Sequence, residues 1–92
     1  MPNTKSAAKR MRVEQKRRTR NRAVKSTVKT YISKAQKAIV ADPGEDATLE
    51  MVREAISQLD RAATKGVLHR NNVARRKSRL MKRLNAAQAA EG

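Results

Sequence analysis

The first apolar pattern in the chain lies between residues 24 and 39, where apolar residues recur at steps of three and four. This spacing is typical of one stripe of an α-helix. The stripe consists of Val24, Val28, Tyr31, Ile32, Ala35 and Ile39. No Gly or Pro interrupts residues 3–42. We therefore predict one helix that starts at Thr4 or Lys5, with Thr4 as its N-cap, and ends before the breaker Asp42-Pro43-Gly44.

A second helix is predicted after this turn. Thr48 is suited to cap it, and Glu50 then places a negative charge in its first turn, near the positive end of the helix dipole. Its apolar residues also alternate steps of three and four, as in a helix seam. They are Leu49, Val52, Ile56, Leu59 and Ala63. Lys65 in the last turn and Gly66 just beyond it are predicted to end this helix.

A third helix is predicted to begin between His69 and Asn72, with Asn71 or Asn72 as its cap. One side of it carries Val73, Leu80, Met81 and Leu84. The three patterns together predict an all-α fold, a three-helix antiparallel bundle with short connections around one thin core.

The N-terminal half of the first helix has no apolar stripe to bury. Of the 19 Val, Ile, Leu and Met residues in the chain, 16 lie between Val24 and Leu84. We therefore predict that the long, very basic N-terminal helix extends beyond the core, as an arm over residues 1–22. The bundle occupies residues 23–85 and an alanine-rich tail, predicted to fray, occupies residues 86–92, all within a single domain over 1–92.

Composition limits the size of the core. Leu, Ile, Val and Phe account for only 15 of the 92 residues, below the roughly 20 per cent at which highly charged chains tend toward disorder. The chain has no Cys, so it has neither disulfides nor thiolate metal sites, which weakly favours an intracellular protein. Its start lacks the apolar region of a signal peptide, and no stretch approaches the length of a membrane span.

The sequence contains few residues suited to catalysis. His69 is the only histidine, and the acidic residues between 41 and 64 are spread over a turn and a helix surface. So thin a core cannot enclose a desolvated pocket that shifts pKa values, and one histidine supplies a single metal ligand. The three glycines are isolated, so no glycine-rich phosphate loop is present. We expect no enzyme activity, no metal site and no cofactor.

Charge indicates the class of partner. The chain has 23 Lys and Arg against 8 Asp and Glu, a net charge of +15. Residues 1–40 carry +12, residues 41–64 carry −4 and residues 65–92 carry +7. Repulsion of this size opposes a compact state unless a polyanion neutralises it. The partner is therefore a nucleic acid or an acidic membrane surface.

Positive charge surrounds most of the circumference of the arm. A helix that lies on a membrane needs an opposite apolar face with bulky anchors, which the arm lacks. Charge on all sides fits a helix with phosphates around it, and the planar fork of arginine bonds two phosphate oxygens at once. Charge runs are more often solvated faces, but a single acid among the first 40 residues leaves little scope for intrahelical pairing.

We predict two sets of nucleic-acid contacts. The first, on the long helix, comprises Lys5, Ser6, Lys9, Arg10, Arg12, Lys16, Arg17, Arg18, Arg20, Asn21, Arg22, Lys25 and Lys29. The second comprises Lys65, His69, Arg70, Asn71, Asn72, Arg75, Arg76, Lys77, Ser78, Arg79 and Arg83, with Lys82 beside them. A structural role competes at His69, which also suits capping or packing at the turn, and at Asn71 and Asn72, one of which is expected to be a cap.

The kind of nucleic acid is only partly fixed by the residues. Tyr31, the sole aromatic, belongs to the core stripe, so recognition by stacking bases on rings is excluded. A folded, duplex-rich target read by shape and charge is favoured. Asn21-Arg22-Ala23 invites comparison with basic zippers, but the apolar stripe lasts only about two heptads before the breaker. A DNA-compacting protein of helical type remains an alternative on charge alone.

Three segments resemble a known family. The run KGVLHRNNVARRKSRL at residues 65–80 looks like the signature of bacterial small-subunit ribosomal protein number twenty. The segments NTKSAAKR at 3–10 and KRRTRNR at 16–22 are similar to its N-terminal part. The likeness covers nearly the whole chain in order. The 65–80 run is specific, whereas the basic N-terminal run alone would be weak.

The resemblance implies a three-helix bundle that binds small-subunit ribosomal RNA directly and early in assembly. It also implies a cytoplasmic protein that is a monomer within the ribosome and touches other ribosomal proteins only peripherally. Two positions depart from the family pattern, because Pro2 and Val73 stand where alanine is usual. The bulkier Val73 affects packing and puts no RNA contact in doubt.

Overall fold

The computed structural model describes residues 3–91, which form three α-helices. These are α1 (Asn3–Ala41), α2 (Asp46–Thr64) and α3 (Arg70–Glu91). Each helix contacts the other two, and no β-strand occurs within the described range. The predicted all-α class and three-helix bundle are confirmed. The start of α1 agrees with prediction to within two residues, whereas the side chain of the proposed N-cap, Thr4, lies outside the described residues.

The turn between α1 and α2 is held by two hydrogen bonds that involve polar side chains. The carboxylate of Asp42 accepts a hydrogen bond from the Gly44 N–H at 3.2 Å. The buried Pro43 offers its carbonyl oxygen to the Gln88 side-chain amide at 3.2 Å. Since Gln88 belongs to the last turns of α3, this contact places the C-terminal end of α3 beside the α1–α2 turn.

Thr48 does not cap α2, and this prediction is wrong. The N-cap is Glu45, whose side chain makes no capping hydrogen bond. Thr48 is only 2% exposed, and its hydroxyl donates to the Asp42 carbonyl oxygen at 2.6 Å, with the Ala38 carbonyl oxygen at 3.4 Å. A buried hydroxyl needs an acceptor, and the Asp42 carbonyl just beyond the end of α1 supplies it. Thr48 thereby joins the end of α1 to the start of α2.

We expect Thr48→Val to lower the free energy of unfolding by about 1–3 kcal/mol, because it removes a buried hydrogen bond at constant side-chain volume. Urea unfolding followed by circular dichroism measures the change. The matched control is Thr64→Val, whose hydroxyl also donates to a backbone carbonyl, that of Asp60 at 3.0 Å, but on the exposed surface. Equal losses in the two variants would contradict a special role for Thr48.

The connection between α2 and α3 confirms the predicted stop at Lys65 and Gly66. Lys65 is the C-cap. Gly66 has a φ of +74°, a backbone conformation that residues with a Cβ rarely adopt. The Gly66 N–H donates to the Ala63 carbonyl at 3.0 Å and the Val67 N–H donates to the Ala62 carbonyl at 3.0 Å. This pair of bonds is a Schellman motif.

The cap of α3 is His69 rather than either asparagine. The His69 Nδ1 accepts a hydrogen bond from the Asn71 N–H at 3.1 Å, and the His69 carbonyl accepts from the Val73 N–H at 3.1 Å. The start of α3 at Arg70 lies within the predicted range of residues 69–72, whereas the cap lies two or three residues before the asparagines. Both asparagines lie inside α3, where their side chains are free of any capping role.

The core is a thin column of two adjoining clusters. The first consists of Ala35, Ile39, Val52, Ala55, Leu80 and Leu84. The second consists of Val28, Leu59, Ala62 and Val73. Ala55 and Ala62 are fully buried although the apolar pattern did not single them out, and such small residues allow the helix axes to approach closely. Met81 was predicted to belong to the core but is 38% exposed.

The alanine-rich end of the chain differs from the fraying tail that was predicted. Here α3 continues through it to Glu91. Ala87 packs against the first cluster, and Gln88 bonds to the α1–α2 turn as described above. Alanine has the highest intrinsic helix propensity, so the segment extends α3 once its inner face has a contact.

The first half of α1 projects past the bundle, as predicted. Every residue from 5 to 20 is exposed, including Met11 at 63% and Val13 at 43%. The molecule measures 71 × 21 × 14 Å along its principal axes. The bundle thus holds one end of a long helix, whose other half stands in solvent.

Candidate nucleic-acid interface

The part of the arm whose side chains the structure describes, residues 5–22 of α1, presents an exposed and unbalanced positive charge. Its predicted contacts from Lys5 to Arg20 are all exposed. Successive residues of an α-helix are turned by about 100°, so the basic positions of this segment point in every direction around the axis. Glu14 is its one carboxylate. A helix with this surface can lie among phosphates that approach it from several sides.

A second basic surface lies in the groove between α1 and α3. At the end of the groove next to the start of α3, Lys25 and Lys29 border it on α1, and Asn72 and Arg76 border it on α3. Val28 and Leu68 also line this part. The sequence placed these lysines in one predicted set and the α3 residues in another, and the structure brings the two sets together around one groove.

The groove continues toward the C-terminal end of α3. Asn72 and Arg76 line this part too, so the two parts are continuous. The remaining lining residues are Ile32, Gln36, Arg75, Arg79, Leu80 and Arg83. We call the whole feature the α1–α3 groove. Its lining among the described residues contains no Asp or Glu, and its apolar floor lies beside four arginines.

Gln36 was missed by the sequence reasoning. It is half-buried and lines the groove together with arginines of α3. Lys25, Lys29, Ile32 and Gln36 follow one another at steps of four, three and four, which is one stripe of α1. A second stripe beside the apolar one was therefore a detectable signal.

One arginine of the groove is held by a neighbouring side chain. The Arg76 Nε donates to the Asn72 side-chain oxygen at 2.8 Å, across one turn of α3. This bond occupies the edge of the guanidinium next to the side-chain stem. The two terminal nitrogens of Arg76 stay available for an anion, in a fork that suits a phosphate.

Two other predicted contacts are placed differently. The Lys77 ammonium lies 2.9 Å from a carboxylate oxygen of Asp60, so it joins α3 to α2. Asn21 is half-buried, and its side-chain oxygen is enclosed without a hydrogen-bond partner within the described part of the chain. Neither residue lines the α1–α3 groove.

The α1–α2 side of the bundle carries carboxylates. A shallow depression between α1 and α2 is lined by Tyr31, Lys34, Glu50, Met51 and Glu54. Glu50 also pairs with Arg53 on the surface of α2, at 3.4 Å. Since phosphates are repelled by carboxylates, the arm and the α1–α3 groove are the sides of the molecule suited to a polyanion. Tyr31 packs against the first core cluster, as predicted.

A metal cluster and a membrane-crossing helix each have requirements that residues 3–91 do not meet. This range holds no group of three or more His, Asp or Glu side chains arranged to hold a metal ion. None of its helices combines the length and the hydropathy that a membrane-crossing segment requires.

The fold and its surfaces define a class, that of small helical basic proteins built to pack against nucleic-acid phosphates. The family model of Ribosomal protein S20 matches residues 2–85. The chain belongs to this family, which confirms the resemblance seen in the sequence.

Curated relatives agree with this assignment over nearly the full chain. The small ribosomal subunit protein bS20 of Thermomicrobium roseum is 56% identical over 86 residues, which cover 94% of this chain and 86% of the relative. That of Roseiflexus sp. is 54% identical over 90 residues, which cover 98% of this chain and 97% of the relative. That of Thermotoga neapolitana is 51% identical over 85 residues, which cover 92% of this chain and 86% of the relative.

We expect the amides of residues 9–22 to exchange rapidly with solvent in the free protein, while those of the bundle are protected. Residues 9–20 of the helical arm are all exposed, so no burial adds to their own hydrogen bonds, and like charges one turn apart oppose the helix. Hydrogen–deuterium exchange without RNA measures this, with the buried stretch around Val52 and Leu59 as the internal reference. Strong protection of the arm would contradict the prediction.

Proposed function

We propose that this protein is a non-enzymatic structural component of the small ribosomal subunit. It binds small-subunit ribosomal RNA directly and stabilises the packing of RNA helices during assembly. The observation that carries the proposal is the arm, in which every residue from 5 to 20 is exposed and one carboxylate stands among many basic residues. A helix without a core to face and with charge on all sides has no role in a free monomer and fits an RNA environment.

The mechanism uses both basic surfaces. The arm inserts Lys and Arg side chains among the phosphates of neighbouring RNA helices, and the α1–α3 groove holds the backbone of another RNA segment. Because α1 is one continuous helix of 39 residues, about 58 Å long at 1.5 Å per residue, the two surfaces are kept at a fixed separation. RNA segments that bind both are thereby fixed relative to one another.

The proposed contacts remain those predicted from the sequence, with different roles for some of them. Arg75, Arg76, Arg79 and Arg83 bind phosphates in the groove together with the lysines of α1. Lys77 contributes to the bundle through Asp60, and His69 contributes the cap of α3. The exposed side chains of Lys65, Arg70 and Ser78 extend the basic surface around the start and the middle of α3.

The family assignment supports the ribosomal partner over DNA. The relatives reported above are proteins of the small ribosomal subunit by name. In this setting the protein acts as a monomer within the cytoplasmic ribosome, contacts other ribosomal proteins only peripherally, and needs no metal or cofactor. Its binding depends on charge and on the shape of folded RNA.

A competition assay at one fixed salt concentration tests the proposal. Labelled full-length protein is bound to folded small-subunit ribosomal RNA and challenged with unlabelled ribosomal RNA, duplex DNA or anionic vesicles. Ribosomal RNA is expected to displace it at much lower concentration than the other two. Equal competition by duplex DNA would overturn the proposal in favour of a DNA-compacting protein. In cell extracts, the native protein should sediment with small ribosomal subunits.

A further inference from the structure

We infer that the α1–α3 groove binds a single sugar-phosphate strand at the edge of an RNA helix, and that Asn72 is a positioning residue that orients Arg76 toward one phosphate of that strand. The inference rests on the proposed function and deepens it. It assigns a particular segment of RNA backbone to a particular groove.

The width of the groove determines what can enter it. Two packed helices have axes about 8–10 Å apart, and the whole molecule is only 21 Å and 14 Å across its two shorter axes. A groove between two such helices admits one strand of backbone, and it is too narrow for a complete duplex. The α1–α3 groove therefore takes the exposed edge of an RNA helix.

The charges on the two walls fit a phosphate backbone. Lys25 and Lys29 stand on the α1 wall, and four arginines stand on the α3 wall. With an apolar floor between them and no carboxylate in the described lining, the walls concentrate positive potential along one line. The carboxylates of Glu50 and Glu54 are on the α1–α2 side, away from this line.

Arg76 lies where the two parts of the groove meet, since it lines both. Among the four groove arginines of the described chain, it is the one whose guanidinium has a side-chain hydrogen bond, the 2.8 Å bond to Asn72. A free arginine loses rotamer freedom when it binds. Asn72 restricts Arg76 beforehand and leaves its terminal nitrogens as a fork for one phosphate.

The key variants are Asn72→Ala, Arg76→Lys and the two combined. Asn72→Ala is expected to weaken the binding of folded small-subunit ribosomal RNA about three- to tenfold, the range for ordering one long side chain at an interface. Arg76→Lys keeps the charge but lacks the Nε donor and the fork, so a similar loss is expected. The double variant should lose no more than Arg76→Lys alone, because the role of Asn72 acts through Arg76.

The matched control is Asn85→Ala, which truncates an exposed asparagine of α3 outside both the predicted contacts and the groove lining and is expected to change affinity less than twofold. Alanine favours the helix more than asparagine does, so a lower affinity of Asn72→Ala does not come from a weaker α3. Thermal unfolding of each variant, followed by circular dichroism, verifies this. The slope of log affinity against log salt should stay unchanged in Asn72→Ala, since no charge is removed.

The groove itself is tested by Arg79→Gln, with Arg53→Gln on α2 as the control. Arg79→Gln should reduce the salt slope by about one phosphate contact, and Arg53→Gln should leave it unchanged. Additive losses for Asn72→Ala and Arg76→Lys would overturn the positioning role, and an equal effect of Arg53→Gln would overturn the groove. In either case the wild-type protein would still bind ribosomal RNA. A wild-type protein that does not bind it would instead refute the proposed function.

Discussion

Raising the salt concentration from 50 to 200 mM is expected to weaken the binding of small-subunit ribosomal RNA about a thousandfold or more. Each phosphate neutralised by Lys or Arg releases condensed counterions, and about 6–10 such contacts give a loss of this size. The arm and the α1–α3 groove together offer more basic side chains than this number requires. Filter binding or fluorescence anisotropy across this salt range measures the slope.

Charge variants on the arm provide the control for this measurement. The double variant Arg17→Gln, Arg18→Gln should lower the slope by about two contacts. Both residues are exposed and far from the core, so the stability of the bundle should not change. A slope near zero for the wild-type protein would rule out binding through phosphates, and with it both basic surfaces as the source of affinity.

Leu59→Ala is expected to lower the free energy of unfolding by about 2–5 kcal/mol, the usual cost of removing a large buried side chain. Leu59 has no solvent exposure and lies in the cluster that joins α1, α2 and α3 through Val28 and Val73. Small domains have only about 5–15 kcal/mol to lose, so the melting temperature should fall sharply. Urea and thermal unfolding followed by circular dichroism measure both quantities.

The binding of ribosomal RNA by Leu59→Ala should also weaken, although Leu59 is remote from any phosphate. Loosening the cluster frees α3 from α1, and the two walls of the groove lose their fixed distance. Met81→Ala is the matched control, because Met81 is 38% exposed and its truncation leaves no cavity. Unchanged melting of Leu59→Ala would show that the core is assigned wrongly.

The arrangement of the helices could be predicted from the sequence because local signals mark their ends. Pro43 and Gly44 end α1, and Gly66 ends α2 through a backbone conformation that favours glycine. The apolar stripes of the three helices gave most of the core because large side chains at helical spacing have few alternatives to burial. The exposed arm followed from the lack of any such stripe.

The errors occurred where a tertiary contact competes with a local preference. Thr48 carries a good capping side chain, but its hydroxyl donates instead to the Asp42 carbonyl just beyond the end of α1, close to that of Ala38. At α3 the imidazole of His69 accepts the bond that an asparagine was expected to accept. Buried alanines such as Ala55 give almost no signal in an apolar pattern, although they determine how closely the helices pack.

The sequence predicted most of the residues of the candidate site, but it did not predict how α1 and α3 bring them together in one groove. Charge identified both basic segments, since the arginines of α3 stand out in any count. The groove depends on which faces of α1 and α3 meet, and the sequence does not specify this. Hence Gln36 was missed, and Lys77, whose charge matches its neighbours, was grouped with them although it pairs with Asp60.

The unbroken course of α1 from the arm into the bundle has a further consequence for how this chain can vary. Each residue of an α-helix advances the chain by about 1.5 Å and turns it by about 100°. Deleting one residue near Arg22 would therefore rotate every preceding side chain by more than a quarter turn relative to the bundle. Replacing an exposed side chain alters one contact. Altering the length of the helix changes the direction in which every side chain of the arm points around the helix axis, relative to the bundle. Natural variation should accordingly consist of substitutions in this segment, with insertions and deletions confined to the turns.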